Sequence, residues 1–219
     1  MFNKKNSLPN FLSKKYRDWK NTTFKEKKKL YKKLVIKGQK PKLMVISCCD
    51  SRINVSSIFG ADIGDIFIHQ NIANIVPPIN NKNKQTISGT FAAVEYAVKE
   101  LKIQHLIVLG HSNCGGISNS IKIFSNKSKK NKRSFVHNWL QFIKPSFKML
   151  PKKLSLGEKI EFIEKENIKN SLKNLYEFPL VKRAIINEGL SVHGLSYNIL
   201  NGELSKFDEK SNTFIKIKT

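Results

Sequence analysis

Two apolar runs, LMVI at residues 43–46 and LIVL at 106–109, set the strongest constraint on how this chain folds. Neither alternates with polar residues, so neither suits a sheet with one wet face. Strands of this kind lie in parallel sheets covered by helices on both sides. Each run also passes straight into reactive side chains, SCCDSR (47–52) after the first and GHSNCGG (110–116) after the second. All strands of a parallel sheet end on one edge, and ligands gather there. The topology alone can therefore carry Cys48 to His111 and Cys114 across a long stretch of sequence.

The segments between these runs fit that scheme. Residues 9–37 place Phe11, Tyr16, Trp19, Phe24, Leu30 and Leu34 among Lys and Arg at helical spacing, with NTTFKE (21–26) as an N-cap region between two helices. KGQKP (37–41) breaks that pattern before the first strand, Leu43 to Ser47. A short helix over Ile53 to Phe59 closes at Gly60, DIFIHQN (65–71) reads as a strand, and VPPINNKNKQ (76–85) as a loop. GTFAAVEYAVKELK (89–102) is a helix with Phe91, Val94, Val98 and Leu101 on its apolar face. KIFSNKSKKNKRSF (122–135) is a charge run, and 136–186 is helical with breaks at Pro145, Pro151, Gly157 and Pro179. The tail 190–208 alternates around an Asn-Gly turn, as a late pair of strands does. The expected fold is α/β: a mainly parallel sheet of four strands plus an antiparallel edge strand, flanked by helices, with an N-terminal helical arm. No repeat or linker divides residues 1–219, so one domain is expected, with 1–38 as the arm.

The cysteines narrow the chemistry. There are three, Cys48, Cys49 and Cys114, an odd number with two adjacent, which makes a poor disulfide framework. Cys48–Cys49 also lacks the Cys-x-x-Cys spacing of thiol redox enzymes. Two thiolates and an imidazole suit zinc, which takes S and N donors in a tetrahedron. Structural zinc sites close with four protein ligands, whereas three leave a position for water. Asp50, two residues past Cys48, can ligate the metal or accept a hydrogen bond from a hydroxide on it. Arg52 carries a planar fork that matches a carboxylate, and pairing would keep Asp50 ionised and turned from the metal. Taken singly, His111 suits a capping or core histidine, Cys114 a small buried hydrophobe, and Asp50–Arg52 a surface pair. Cys49 faces away from Cys48 if strand geometry continues, and is expected only to pack.

CCDSR followed by GHSNCGG resembles the β-class carbonic anhydrases, whose pattern is Cys-x-Asp-x-Arg and then His-x-x-Cys. The likeness spans GQKPKLMVISCCDSR, IANIVPP and GTFAAVEYAVKELKIQHLIVLGHSNCGG, and continues more weakly into the tail. It implies one Zn2+ per chain on Cys48, His111 and Cys114, with Asp50 and Arg52 as a catalytic dyad and Asp50 as a ligand at low pH. It implies reversible hydration of carbon dioxide to bicarbonate and a proton, by attack of zinc-bound hydroxide, in a carbonate dehydratase, a lyase. Gln39 takes the place of a glutamine that, in plant-type members, hydrogen-bonds the substrate oxygen. Phe67, Ile72 and Tyr96 match the apolar wall of the substrate pocket, with Gly115 beside it. An allosteric subgroup carries Trp where Val45 stands and Arg where Gln70 stands, so its inhibitory bicarbonate pocket is expected to be missing. Phe91 replaces a residue that is usually small. The resemblance further implies a homodimer or tetramer in which the arm embraces a second subunit, with the zinc cleft at or near the interface. Carbon disulfide and carbonyl sulfide hydrolases share the scaffold and ligand set.

Charge adds little to this. Forty Lys and Arg against 16 Asp and Glu give +24, which fits either an anionic partner or the Lys-, Asn- and Ile-rich usage of an AT-rich coding sequence. A basic nucleic-acid binder with structural zinc is the remote alternative, but KSKKNKR (127–133) offers charge without interleaved aromatics, so no nucleic-acid partner is expected. No stretch approaches the roughly 18–20 apolar residues of a membrane span, and the N-terminus lacks the apolar core of a signal peptide. A cytoplasmic protein without a membrane partner is expected.

Overall fold

The structure, a computed structural model, describes residues 8–79, 88–125 and 134–218. Most of the loop expected over 76–85, and all of KSKKNKR, lie outside the described residues. The chain resolves into two compact units that meet between Gln39 and Lys40.

The first unit is a helical pair, α1 (Asn10–Asn21) and α2 (Thr23–Lys37). Trp19 lies 5.4 Å from Phe24 and Phe24 5.1 Å from Tyr31, ring to ring, so aromatic contacts join the two helices. Neither helix has a buried residue. Thr22 sits between them as expected, but it does not cap α2. Its hydroxyl donates back to the Asp18 carbonyl at 2.7 Å.

In the second unit the two apolar runs become β1 (Leu43–Cys48) and β3 (His105–His111). They lie side by side and parallel, with Ser47 opposite Leu109. Parallel partners flank them: β2 (Ile66–Asn71) beside β1 and β4 (Ser191–Tyr197) beside β3. The antiparallel extension comes as two strands rather than one, β5 (Leu204–Asp208) and β6 (Thr213–Lys216). As an edge strand, β2 is half-buried and alternating rather than apolar on both faces. Successive residues of β1 feed different clusters. Met44 and Ile46 pack with Leu106 and Val108, while Val45 packs with Leu109 and Leu195. Each fully buried side chain of this size contributes roughly 1.5–3 kcal/mol.

Helix α4 (Gly89–Lys99) covers one face through Val94 and Val98, with Phe91 edge-on to Phe178 at 5.1 Å. Helices α3 (Val55–Ile58), α5 (Gly115–Ser125), α6 (Phe135–Leu140), α7 (Lys144–Lys148) and α9 (Pro179–Glu188) fill the connections. The longest helix, α8 (Leu156–Glu177), starts at a Ser155–Glu158 capping box, so Gly157 sits in its first turn instead of breaking it. Helix α8 lies very close to the sheet because two strand positions lack side chains. A Cβ on Gly110 would fall 2.6 Å from Ile168, and one on Gly194 would fall 2.8 Å from both Ile168 and Leu172. That close approach brings the buried face of α8 to the carboxyl end of β3 and the turn that follows it.

Candidate metal centre

Cys48 is the last residue of β1, His111 the last of β3, and Cys114 stands immediately before α5. All three are 4% exposed or less. Their donor atoms lie within 4.8 Å of one another. The two sulfurs are 3.9 Å apart, too far for a disulfide, whose S–S bond is about 2.05 Å. Two thiolates on one tetrahedral zinc, with Zn–S bonds of about 2.3 Å, would sit about 3.8 Å apart. Spacing therefore fits the ion. The histidine fits as well. Its Nδ1 faces the Ser112 carbonyl at 3.0 Å, which sets the proton there. Its Nε2 is buried and has no hydrogen-bond partner. A buried lone pair without a partner is costly unless a cation takes it.

Backbone amides support both sulfurs. The N–H groups of Ala73 and Asp50 stabilise Cys48 as thiolate, and those of Gly116 and Ile117, at the start of α5, stabilise Cys114. The Cys114 thiol, with the lesser aid of His111 and these amides, draws Cys48 below its ordinary range, while the Cys48 thiolate and burial push Cys114 above its own. A divalent cation removes that conflict by favouring both thiolates.

Asp50 lies at the margin of this cluster and is turned to Arg52. Arg52 Nε donates to Oδ1 at 2.9 Å and Nη2 to Oδ2 at 2.7 Å, and the Arg52 backbone N–H adds a third bond to Oδ1 at 3.0 Å. Arg52 Nη2 also donates to the Asn113 carbonyl at 3.0 Å, tying the dyad to the His111–Cys114 turn. This pairing holds the Asp50 carboxyl well below the usual carboxylate range. Asp50 Oδ2 remains 3.9 Å from His111 Nε2. Asp50 is thus beside the donor set, ionised, and aimed by the guanidinium.

The remaining positions singled out in the sequence are dispersed. Ile72 follows β2 and lies against Gly116, where an added Cβ would come within 3.0 Å of it. Gly115 opens α5, and a Cβ there would meet nothing within 4 Å. Phe67 and Tyr96 stack on each other at 5.9 Å. Asn71 pairs with Cys48 and Phe67 with Met44, so the aromatic pair sits four residues upstream, about 13 Å along the strand. Gln39 is exposed at the end of the helical unit. Gln70 donates to the Cys48 carbonyl at 3.0 Å. Cys49 is exposed rather than packed.

Two residues near the centre escaped the sequence reading. Glu164 on α8 accepts the Cys114 backbone N–H at 2.7 Å, and Asn167 donates to the Ala73 carbonyl at 2.8 Å, both buried. In the sequence both read as part of a solvated helix face, which hid them.

A parallel sheet whose carboxyl edge joins two thiols, an imidazole and an adjacent Asp–Arg pair defines a protein built around one soft divalent cation. Comparison with known proteins makes this specific. The family model for carbonic anhydrase matches residues 43–204. Beta carbonic anhydrase 3 of Arabidopsis thaliana is 35% identical over 187 residues, covering 84% of this chain and 70% of that protein. The solved structure of the beta-carbonic anhydrase CcaA superposes with a TM-score of 0.81 at 30% identity, covering 94% of this chain and 98% of that one. One of two tetrameric beta-carbonic anhydrases from Sordaria macrospora gives a TM-score of 0.74 at 29% identity, covering 90% and 94%. The chain belongs to the β-class carbonic anhydrases, a zinc enzyme family.

Proposed function

We propose that this protein catalyses the reversible hydration of carbon dioxide to bicarbonate and a proton, with one zinc on Cys48, His111 and Cys114. The observation that carries the reading is a buried, partnerless His111 Nε2 within 4.8 Å of both sulfurs, beside an Asp50 fixed by Arg52. Zinc at such a site supplies the acidity that ionises a water at accessible pH. Asp50, held ionised by Arg52, would accept a hydrogen bond from a water beside the donor set and orient it toward the carbon of the substrate. Arg52 prevents the carboxylate from turning to the cation. The amides around both sulfurs keep the thiolates oriented. The product is an anion, and we assign its steadying to the Gln39 amide. With Val45 and Gln70 in place, no inhibitory bicarbonate pocket is expected.

Phe67, Tyr96, Ile72 and Gly115 are assigned to the apolar slot for carbon dioxide. The upstream position of the Phe67–Tyr96 pair, with Tyr96 48% exposed, favours a slot completed by a second copy of the chain. A homodimer or a tetramer follows, with residues 1–38 as an arm packed on the partner subunit. The exposed Phe11, Val35 and Ile36 of the helical unit support that role. No helix among the described residues is long and apolar enough to cross a membrane. We place the protein in the cytoplasm, where thiols stay reduced.

Stopped-flow assay of the zinc-loaded protein tests the reading, with sulfide release from carbon disulfide measured in parallel. Hydration that rises on the alkaline side, with little sulfide release, is expected. Sulfide release without hydration would assign the scaffold to the sulfur substrates instead.

A further inference from the structure

The five residues after β2 form a turn held mostly from outside. Trp139 Nε1 donates to the Ile72 carbonyl at 2.9 Å, Asn167 Nδ2 to Ala73 at 2.8 Å and Ser171 Oγ to Asn74 at 3.4 Å. Asn71 Nδ2 donates to Ile75 at 2.9 Å and Asn174 Nδ2 to Val76 at 2.7 Å. Five consecutive carbonyls thus each meet a side-chain donor, and α8 supplies three of the five. One turn earlier on the same helix, Glu164 takes the Cys114 N–H at 2.7 Å.

Within this turn Ala73 and Asn74 adopt φ of 63° and 46°, the left-handed region that L side chains avoid. Such a conformation persists where its surroundings over-determine it, and it concentrates at functional sites. Its consequence here is specific, because Ala73 is fully buried and packs in the same cluster as Cys48 and Cys114. A regular turn would not need three α8 side chains to hold it.

We infer that Asn167 is a positioning residue for the metal centre. By holding the Ala73 carbonyl it keeps the left-handed turn closed and Ala73 packed in the cluster that contains Cys48 and Cys114, while Glu164 fixes the backbone of Cys114 from the same helix. Helix α8 thereby sets the relation between the two sulfurs, although it contributes no ligand. The inference rests on the zinc reading above.

Asn170 provides a matched control. It is on the same helix and donates through Nδ2 to Ser146 Oγ at 2.8 Å, with no link to either ligand turn. The test uses the full chain loaded with zinc, reading zinc release to a chelator. The cobalt-substituted protein gives a second readout, the ultraviolet thiolate-to-cobalt absorption. Asn167→Asp should release zinc about 10–100-fold faster and displace the cobalt band, as loss of an outer hydrogen bond does. Asn170→Ala should leave both at wild-type values even if it lowers the thermal midpoint. If Asn167→Asp does not fold, Asn167→Ala is read in the same way. Wild-type release with an unchanged band in the Asn167 variants overturns the inference, and so does an equal effect of Asn170→Ala. A wild-type chain that takes up neither zinc nor cobalt overturns the metal reading itself, a failure visible before any variant is made.

Discussion

The two ends of the parallel sheet carry similar donor atoms and differ in what surrounds them. At the amino end, His105 Nδ1 and His193 Nε2 both reach Ser191 Oγ, at 2.5 and 3.1 Å, with ring centroids 5.8 Å apart. His105 is exposed, and both of these nitrogens already have a partner. At the carboxyl end, Cys48, His111 and Cys114 are buried, the two sulfurs lie 3.9 Å apart, and the imidazole keeps one nitrogen unpaired. Donor type is thus a weak guide to a metal centre. Burial together with an unmet donor is a stronger one, because desolvation without a partner costs about 1–3 kcal/mol that a cation can recover.

The contrast breaks first at the ligands. Replacing Cys48 or Cys114 by Ser, or His111 by Ala, should take zinc content from one per chain to near zero and hydration to background. Metal analysis checks this, and His105→Ala serves as the reference that should retain the full complement. Asp50→Asn comes next. It should keep its zinc while kcat/KM for hydration falls about 10²–10⁴-fold, the range for loss of a proton-handling group. Stopped-flow kinetics would reject the dyad if turnover were normal. In the middle of the sheet, Gly194→Ala forces a methyl to 2.8 Å from Ile168 and Leu172. A loss of about 1–3 kcal/mol in urea unfolding is expected, with faster zinc release because α8 is lifted from the ligand turns.

The smallest effect belongs to the amino end. Burial, with the nearby charges of Lys206 and His105, lowers the pKa of His193 from its ordinary value. Its contribution to stability is therefore full above the unfolded value near 6.5 and is lost as pH falls below it. His193→Gln should flatten the fall in stability between pH 7 and 5 by roughly a few tenths of a kcal/mol, discounted for partial exposure. Zinc content should not change.

Much of the carboxyl end was legible from the sequence because its signals are local. Unbroken apolar runs fix strands buried on both faces, and the residues that follow them must then share an edge. What supports the site was not legible. Ala73 carries no turn signature, so its left-handed backbone comes entirely from the donors around it. Asn167, Ser171 and Asn174 recur at helical spacing, which in a sequence looks like a solvated face, yet that face is turned inward. The second antiparallel strand was missed because TFIK is largely exposed and carries little periodic signal. Gly110 and Gly194 read as ordinary strand glycines until α8 lies across them.

X-ray absorption at the zinc edge, on purified protein at alkaline pH, tests the central claim most directly. Two sulfurs at about 2.3 Å and two lighter atoms at about 2.0–2.2 Å are predicted, one nitrogen from His111 and one oxygen from solvent. A shell with fewer than two sulfurs, or a fully sulfur-ligated ion, would contradict the account.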